Sequence, residues 1–421
     1  MDWSGAYRVF RNKRVDTDKL FDVAREIVLE ELSPDQMIVV HMDDTLFRKT
    51  GKKVAGTAWR RDPLSPPFHT NFIWGQRFLQ ISMALPDQQG ACQAKAIPID
   101  FHHCPTVKKI SKDADAQQKQ IFKEQHRIAK LSKQGSLRIQ TLRSKLDLQG
   151  AQERKLVISV DGSYTNETVI KSLPDRVVLI GRIRKDAKLY TLPDKQLDRG
   201  RKKVYGDRIP TPDQTRKSED IPWQEVKAWA AGKSHDFNVK AIKTLRWRAA
   251  GEKHILQLII IRPLSYRLTT TSRLLYRQPA YLICTDNNLD IERLLQAYLW
   301  RWEIEVNFRD EKTILGCGEA QVRNPESVKT FPAFLTALYS FIHLAIHRKK
   351  RDNSILPRPK WYPPKLEQRI TTSEIINLFR AHCWIKPTHG NFLGFLQNEH
   401  LARSLKNETN PLTAAILYTR K

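Results

Sequence analysis

Two short apolar segments, each followed by an aspartate, constrain most strongly how this chain can fold. Residues 37–45 read MIVVHMDDT and residues 156–166 read LVISVDGSYTN. Short apolar runs that stop at polar turn residues are typical of strands buried on both faces of a sheet. The segments therefore predict two core strands of an α/β fold, which present aspartates at their carboxyl ends.

The aspartates at the two strand ends share a local pattern. The tripeptide 161–163 has the form Asp-x-Ser, and the tripeptide 43–45 has the form Asp-x-Thr. This similarity favours Asp43 as the first functional carboxylate, although the alternation of side chains along a strand also allows Asp44. Taken singly, either strand end is also consistent with a strand that simply enters a turn.

Residues 288–315 are predicted to form one helix with a polar working surface. Asp290 can cap its amino terminus, and Gly316 and Gly318 follow its carboxyl terminus. Four polar residues at spacings of three, four and seven fall within an arc of roughly 60° on such a helix. They are Tyr298, Arg301, Glu305 and Lys312. Ordinary charged helix surfaces with i,i+4 pairs show the same spacing.

The strand-end aspartates and the helical glutamate together form a ligand set suited to magnesium. Asp43, Asp161 and Glu305 offer carboxylate oxygens, the ligands that Mg²⁺ prefers, on three predicted rigid elements. Such a set can hold a pair of ions in enzymes that transfer phosphoryl groups. The sequence contains no Walker-type or dinucleotide-type glycine loop. The pattern therefore predicts two Mg²⁺ ions, with Mn²⁺ as a substitute, and not ATP or NAD chemistry.

The chain is strongly basic throughout its length. It has 421 residues, a formal net charge of +27 and 40% hydrophobic residues. The length allows two or three domains with a sizeable core, and the charge predicts a polyanionic partner, most simply DNA or RNA. Ribosome-type and membrane-surface proteins are also basic, but short basic binders concentrate their charge in tails. Here the basic residues are spread through a chain that contains ten Trp and sixteen Phe, which favours a globular nucleic-acid enzyme.

The cysteines and the hydropathy pattern indicate the cellular compartment. The five cysteines are widely spaced and form no Cys-x-x-Cys pair, which is typical of free thiols in a reducing cytosol. The His-His-Cys segment at 102–104 lacks a second ligand pair at zinc spacing. No signal-peptide core and no run of about 18 apolar residues is present. We therefore expect a soluble, non-exported protein without a membrane partner.

In chain order, the elements predict a ribonuclease-H-like catalytic core interrupted by a mainly β insertion domain. Strands at 72–85 and 95–101 follow the first aspartate, and a helix spans about 107–147 with Gly135 as a kink. Three strands followed by a long helix begin a ribonuclease-H-like layout. The basic side of that helix is either a solvated face, the default, or a DNA contact. The predicted units are a helical arm (1–36), the first part of the core (37–184), the insertion (185–286), the second part of the core (287–350) and a C-terminal region (351–421).

The order Asp…Asp…Glu, with the glutamate inside Tyr-x2-Arg-x3-Glu-x6-Lys, resembles the DDE transposases of bacterial insertion sequences that carry the Tyr-Arg-Glu-Lys signature. The resemblance covers residues 37–350. It implies a β-rich insertion in a ribonuclease-H-like core, Mg²⁺-dependent cutting at element ends, and joining of the freed 3′-hydroxyls to target DNA. It further implies binding to terminal inverted repeats, a homodimer on DNA, and a cytoplasmic, nucleoid-associated location.

The resemblance also implies a role for each residue of the motif. The three carboxylates would hold two metal ions, one for activating water or the 3′-hydroxyl and one for stabilising the leaving 3′-oxygen. Arg301 and Lys312 would clamp phosphates near the cut, and Tyr298 would contact a phosphate through its hydroxyl. A tryptophan of the insertion would hold a flipped base, although core packing is the default for any single one. The candidates are Trp223, Trp229 and Trp247.

Two other functions are compatible with the same residues. One is a truncated or repurposed, non-catalytic DNA-binding protein, because only 42 residues precede Asp43, where end-recognition helices are expected. The other is a metal-dependent nuclease of the same fold that cuts but never joins. The three carboxylates argue against the first alternative. The tyrosine, arginine and lysine of the motif argue against the second, because they serve to hold DNA ends.

Overall fold

The computed structural model describes residues 8–66, 68–87, 90–194, 202–266, 271–320, 322–351, 370–377 and 379. Most of the predicted C-terminal region 351–421 lies outside these residues. The strands are β1 (Ile38–Arg48), β2 (Ala58–Arg61), β3 (Phe72–Pro86), β4 (Ala94–His103), β5 (Leu156–Val160), β6 (Val177–Arg182), β7 (Leu189–Tyr190), β8 (Gln224–Ala230), β9 (Lys233–Trp247), β10 (Leu256–Ile261), β11 (Ser265–Tyr266), β12 (Leu275–Tyr276) and β13 (Ala280–Cys284). The helices are α1 (Thr17–Glu31), α2 (Ala116–Ile128), α3 (Leu131–Leu148), α4 (Glu167–Ile170), α5 (Pro212–Lys217), α6 (Ile291–Leu299), α7 (Trp302–Thr313) and α8 (Pro325–Arg351).

In the described part of the chain, eleven strands form one mixed sheet. Its order is β2-β3-β1-β5-β6-β13-β10-β9-β7, with β4 added on β3 and β8 added on β9. The neighbours β1, β5 and β6 run parallel, whereas β3 and β13 are antiparallel to the strands beside them. The predicted α/β class is confirmed, and the strands predicted at 72–85 and 95–101 correspond to β3 and β4.

Helices cover both faces of the core strands, because successive side chains of a strand point to opposite faces. Along β1, Val40 and Met42 belong to an apolar cluster that includes residues of α1 and α3. Val39 belongs to a second cluster, on the other face, with residues of α6. Burial on both sides requires continuous apolar sequence, which is why β1 and β5 are recognisable in the sequence.

β1 continues beyond the aspartates, which corrects the prediction that this strand ends there. Its pairing with β5 stops at Met42, but its pairing with β3 continues to Arg48. The reason is the length of the neighbours: β3 has 15 residues and β5 has five. β3 therefore supplies hydrogen-bond partners past the end of β5, and Asp43 lies inside a strand at the point where β5 has ended.

The helix predicted over 107–147 is two helices, α2 and α3, which are separated at residues 129–130. The Gln134 side-chain amide donates a hydrogen bond of 2.8 Å to the carbonyl of Ile128. In a continuous helix, the backbone N–H four residues later would donate to that carbonyl. Gly135, the predicted kink, lies inside α3. It lets the helix approach the sheet, because an added Cβ would lie only 3.1 Å from side chains on β1 and after β5.

The predicted insertion, residues 185–286, is mainly β, and its long strands extend the core sheet. β13 pairs with β6, β10 pairs with β13, and β9 pairs with β10 and β8. Strands before and after residue 185 therefore share one sheet, and the pair β6–β13 is the junction between them.

α8 is long and apolar enough, by composition, to cross a membrane over Pro325–Arg348. In the structure its apolar residues are used for packing. Val328 and Leu344 are buried, and the Ser340 hydroxyl donates 2.7 Å to the carbonyl of Pro98 on β4. Half of the most apolar stretch of α8 is buried inside the protein.

Candidate active site

Asp43 and Asp161 lie side by side where the paired part of β1 and β5 ends. The strands run parallel, and their last paired residues are Met42 and Val160. Each aspartate follows its strand's last paired residue directly, and residues in register on parallel neighbours point to the same face. The register therefore brings the two predicted carboxylates together on the face that α6 and α7 cover.

The proximity of the carboxylates changes the acidity of Asp43. Burial raises the pKa of Asp43 to about 7, and the nearby charge of Asp161 acts in the same direction. The Arg301 guanidinium opposes the increase, as does the N–H of Asp44, which donates 2.8 Å to Asp43 Oδ1. The raised pKa shows that these partners only partly neutralise the negative charge at Asp43.

A short turn fixes Asp161 at the end of β5. Its Oδ1 atom accepts hydrogen bonds from the N–H of Ser163 at 2.9 Å and from the Ser163 hydroxyl at 2.6 Å. The Thr165 hydroxyl donates 2.8 Å to the carbonyl of Asp161. Side-chain bonds of this kind are how aspartate and serine stabilise tight turns. The serine of the Asp-x-Ser pattern therefore orients the carboxylate.

Asp44, the alternative first carboxylate, points to the opposite face of β1. The Tyr164 hydroxyl donates 2.8 Å to Asp44 Oδ1, and Arg77 Nε lies 3.3 Å from Asp44 Oδ2. Burial raises the pKa of Asp44, Arg77 and Tyr164 act in the opposite direction, and the charge of Asp161 adds to the increase. Both aspartates therefore lie within the electrostatic reach of Asp161, and they differ in their partners: Asp43 pairs with Arg301, and Asp44 pairs with Tyr164 and Arg77.

The helix predicted over 288–315 is two helices, α6 and α7, and the break falls at Arg301. In a continuous helix the carbonyl of Ala297 would accept the N–H of Arg301. Here the Ser159 hydroxyl donates 3.2 Å to that carbonyl, and the N–H of Arg301 turns to the carbonyl of Tyr298 at 3.1 Å. The prediction of one helix is therefore wrong, because a contact with β5 interrupts the helical hydrogen bonds.

Arg301 connects carboxylates from two elements. Its Nη1 lies 3.2 Å from Asp43 Oδ2, and its Nη2 donates 2.9 Å to Glu305 Oε1. The guanidinium lies 5.9 Å from the ring centre of Tyr298. Three of the four predicted polar residues are therefore in contact. No three Asp, Glu, His or Cys side chains within the described ranges form a group that could hold a metal ion, and the link between Asp43 and Glu305 is Arg301.

Lys312 lies further along α7, toward Phe47. Its ammonium group is 5.8 Å from the centre of the Phe47 ring, and burial lowers the pKa of Lys312. Glu311 and Asp44 oppose that shift. The arc of roughly 60° assumed an uninterrupted helix. Glu305 and Lys312, seven residues apart within α7, still share a face, whereas helix periodicity no longer relates Tyr298 to them across the break. Arg301 adjoins Asp43, while Lys312 lies further along β1, over the Phe47 ring.

A buried polar pair beneath Asp43 was not predicted as part of the site. His41 Nδ1 and Ser159 Oγ are 2.6 Å apart, and both residues are fully buried. Burial lowers the pKa of His41 to about 3, and Arg301 adds to that shift, so the ring is neutral near neutral pH. In the sequence, each apolar run contains one polar residue two positions before its aspartate, His41 before Asp43 and Ser159 before Asp161, and this shared position is the signal that could have identified the pair. Through Ser159, this pair sets the position of the helix break.

A second group outside the predicted site anchors α7 to the sheet. The Asn307 side chain donates 3.1 Å to the carbonyl of Ala96, and the Tyr339 hydroxyl donates 3.1 Å to Asn307 Oδ1. Glu311 is fully buried one turn later. The Gln80 amide, oriented with its nitrogen toward this carboxyl group, donates to both Glu311 oxygens at 3.1 and 3.2 Å. These contacts fix the helix that carries the catalytic glutamate candidate.

Comparison with known protein families shows which family the chain belongs to. The model of the family described as DDE superfamily endonuclease matches residues 3–253, more than half of the chain. The chain belongs to this family. The match spans the positions of both aspartates and ends before α6 and α7, so it does not reach Glu305. No curated protein matches the chain.

As a DDE superfamily endonuclease, this protein is a transposase-like nuclease whose family acts on DNA and uses divalent metal ions.

The tryptophans predicted to stack on a base differ in their surroundings. Trp223 and Trp247 pack against the apolar cluster that contains Val40 and Met42 of β1. The Lys240 ammonium lies 4.7 Å from the Trp223 ring centre. All three tryptophans are half-buried, and the backbone N–H of Trp229 donates 2.7 Å to the side-chain oxygen of Gln296 on α6.

Proposed function

We propose that this DDE superfamily endonuclease is a DNA transposase that cuts at the ends of a mobile element and joins the 3′-hydroxyls to target DNA. The observation that supports this most strongly is the parallel register of β1 and β5, because Asp43 and Asp161 directly follow the last paired residues of the two strands. Arg301, which contacts both Asp43 and Glu305, adds the third carboxylate to the proposed set. Terminal inverted repeats and target DNA are the partners. The enzyme acts as a homodimer on DNA in the cytoplasm, associated with the nucleoid.

The donor set at the strand ends suits divalent ions. Burial and the charge of Asp161 raise the pKa of Asp43 to about 7, and a cation bound there would relieve that cost. Asp43 and Asp161 would hold the ions, and Glu305, bridged to Asp43 by Arg301, is the third carboxylate of the set. When bound, two Mg²⁺ or Mn²⁺ ions supply activation of water or the 3′-hydroxyl and stabilisation of the leaving oxygen.

The remaining motif residues hold the DNA. Arg301 contacts two carboxylates through two different N–H groups, and the same fork can bind a phosphate through two hydrogen bonds. Tyr298, adjacent to this guanidinium, contacts a phosphate through its hydroxyl. Lys312 provides a point charge toward the other end of α7. Phosphate positioning by these groups and charge stabilisation account for catalysis without a covalent protein intermediate.

The domain division of the proposal follows the predicted units. The meander of β1, β3 and β4, followed by α3 and the parallel strands β5 and β6, supports a ribonuclease-H-like core in 37–184 that is completed by 287–350. The insertion is 185–286, joined to the core through the β6–β13 pair. The arm 1–36 and the region 351–421 flank the core.

A cleavage assay tests the proposal, with Mg²⁺ and labelled DNA that carries the sequences flanking the gene. The wild type should cut at the repeat boundary and give joined products. Glu305→Gln should lose both activities and bind DNA at least as tightly, because it removes a ligand and a negative charge beside the phosphates. The control Glu303→Gln lies two residues earlier, about 200° around the helix, and should remain active.

Each other outcome assigns a different function. Full activity of Glu305→Gln would refute the carboxylate assignment. Cutting without joining by the wild type would identify a nuclease that only hydrolyses DNA. Binding without cutting would identify a non-catalytic DNA-binding protein on the same scaffold.

A further inference from the structure

A β-hairpin beside the candidate active site has an exposed face of aromatic rings and one arginine. β2 pairs with the start of β3, so that Trp59 is opposite Trp74 and Arg61 is opposite Phe72. Alternate residues of a strand share a face, so all four side chains lie on one side of the hairpin. We call this side the aromatic face. Trp59 is 66% exposed, Phe72 is 62% exposed and Arg61 is also exposed.

The aromatic face is held in shape by contacts within the hairpin. The Trp59 and Trp74 rings are 5.6 Å apart and meet edge to face, and Trp74 Nε1 donates 3.3 Å to the carbonyl of Gly51. The connecting loop is closed by the N–H of Asp62, which donates 2.9 Å to the carbonyl of Asn71. The exposed rings are therefore presented by a structured element and cost little ordering entropy when a ligand binds.

The hairpin is tied to the elements that carry the candidate catalytic residues. β1 extends five residues past Asp43 to Arg48, whose guanidinium pairs with Asp62 of the hairpin loop at 2.9 Å. Lys49 then donates 2.6 Å to the carbonyl of Gly318, in the segment that follows α7. The hairpin therefore adjoins the carboxyl end of α7, the end at which Lys312 lies.

Exposed aromatic side chains of this size are uncommon on a protein surface unless they contact a partner. The loop adds two more exposed apolar residues, Leu64 at 89% and Phe68 at 91%. Rings interleaved with arginine on a flat strand pair are the combination on which unpaired bases stack, since each base offers a π-face and each phosphate a negative charge. Paired bases offer only their edges in the grooves, so such a face favours single strands over duplex.

We propose that the aromatic face binds unpaired bases of the DNA strand next to the cut. Trp59, Trp74 and Phe72 stack on the bases, and Arg61 binds the backbone. This inference rests on the proposed function, because the DNA strand reaches the hairpin from the carboxylates of the candidate active site. It assigns to the protein a single-strand site outside the insertion, distinct from the tryptophans of residues 185–286.

The test is a binding measurement without metal, so that no cleavage occurs. Fluorescence anisotropy compares a labelled short oligothymidylate with a labelled blunt duplex, in EDTA. The double variant Trp59→Leu/Phe72→Leu keeps apolar side chains but removes two rings. It should bind the oligothymidylate roughly 10-fold more weakly or worse, since stacking contributes strongly for each base. Duplex affinity should change by less than about 2-fold, because phosphate contacts elsewhere dominate it.

The matched control is Trp59→Phe/Phe72→Tyr, which keeps both rings and should bind the oligothymidylate almost as the wild type does. Thermal unfolding checks that the variants are folded. If the leucine double variant unfolds early, the single variant Phe72→Leu, at an exposed site, replaces it and should show the same selective loss.

The outcomes separate this inference from the proposed function. Unchanged oligothymidylate binding by the leucine variant, with normal duplex binding by the wild type, would overturn the inference alone. Wild-type protein that binds neither probe would overturn the proposed function as well. Self-association of the wild type without DNA, lost in the leucine variant by light scattering, would assign the aromatic face to a second copy of the chain and overturn the inference.

Discussion

The buried carboxyl group of Glu311 should make the stability of this protein fall as pH rises. Glu311 lies on α7 with no exposed surface, and burial raises its pKa well above the ordinary value of 4.5. The hydrogen bond from Gln80 and the charge of Lys312 only oppose this shift. The folded protein therefore keeps the proton of Glu311 at pH values where the unfolded chain has released it.

The sign and size of the effect follow from proton linkage. Where the folded state binds one proton more than the unfolded state, the free energy of unfolding falls by about 1.4 kcal/mol per pH unit. This loss begins near pH 4.5, the ordinary value, and continues until the pH passes the pKa of Glu311 in the folded state. Glu311→Gln removes the titrating group and retains an amide that can pair with Gln80, so the variant should not show this contribution.

Urea unfolding of the wild type and Glu311→Gln, between about pH 5 and about pH 8, measures the effect. The difference in the free energy of unfolding should grow in favour of Glu311→Gln as pH rises. Glu225→Gln, at an exposed position on β8, is the control and should give a curve parallel to that of the wild type. Parallel curves for the wild type and Glu311→Gln would refute the reasoning.

Three further predictions follow from the structure. Asp43→Asn should abolish DNA cleavage while Asp44→Asn keeps a measurable rate, because Asp43 pairs with Arg301, which also holds Glu305, whereas Asp44 is bonded to Tyr164 and Arg77; equal rates for the two variants would contradict this assignment. Lys240→Met should lower the free energy of unfolding by about 3 kcal/mol, since the buried Lys240 ammonium donates to three carbonyls at the end of α5; Lys243→Met, exposed on the same strand, is the control in urea unfolding. The affinity for DNA should fall roughly 1000-fold between about 50 and about 200 mM salt, and a flat response in anisotropy titrations would argue against a polyanionic ligand.

The parts of the fold that depend on neighbouring residues could be predicted from the sequence. The continuous apolar runs identified β1 and β5, and Asp290 caps α6 as expected, accepting hydrogen bonds from the N–H groups of the next turn. The similarity between Asp-x-Thr and Asp-x-Ser favoured Asp43, which directly follows the last residue of β1 that pairs with β5; its role stays a prediction. In each case the signal lay within a few residues of the feature.

The features that the sequence did not reveal depend on contacts between distant segments. At the break at Arg301, the hydroxyl of Ser159 on β5 donates to the carbonyl of Ala297, which would accept the N–H of Arg301 in a continuous helix. The extension of β1 to Arg48 depends on the length of β3, and the pairing of β13 with β6 joins strands of the predicted insertion to the sheet that contains β1 and β5. No local propensity encodes such contacts, because they arise only when the chain has folded.

The central claim is that Asp43 and Asp161 hold a divalent metal ion together with Glu305. The most direct measurement is anomalous X-ray scattering from crystals of the wild type and of Asp161→Asn soaked in Mn²⁺. The account predicts a Mn²⁺ peak beside Asp43 and Asp161 in the wild type and its loss in Asp161→Asn. Absence of a peak at these carboxylates in a wild type that cleaves DNA with Mn²⁺, or a peak that persists in Asp161→Asn, would contradict it.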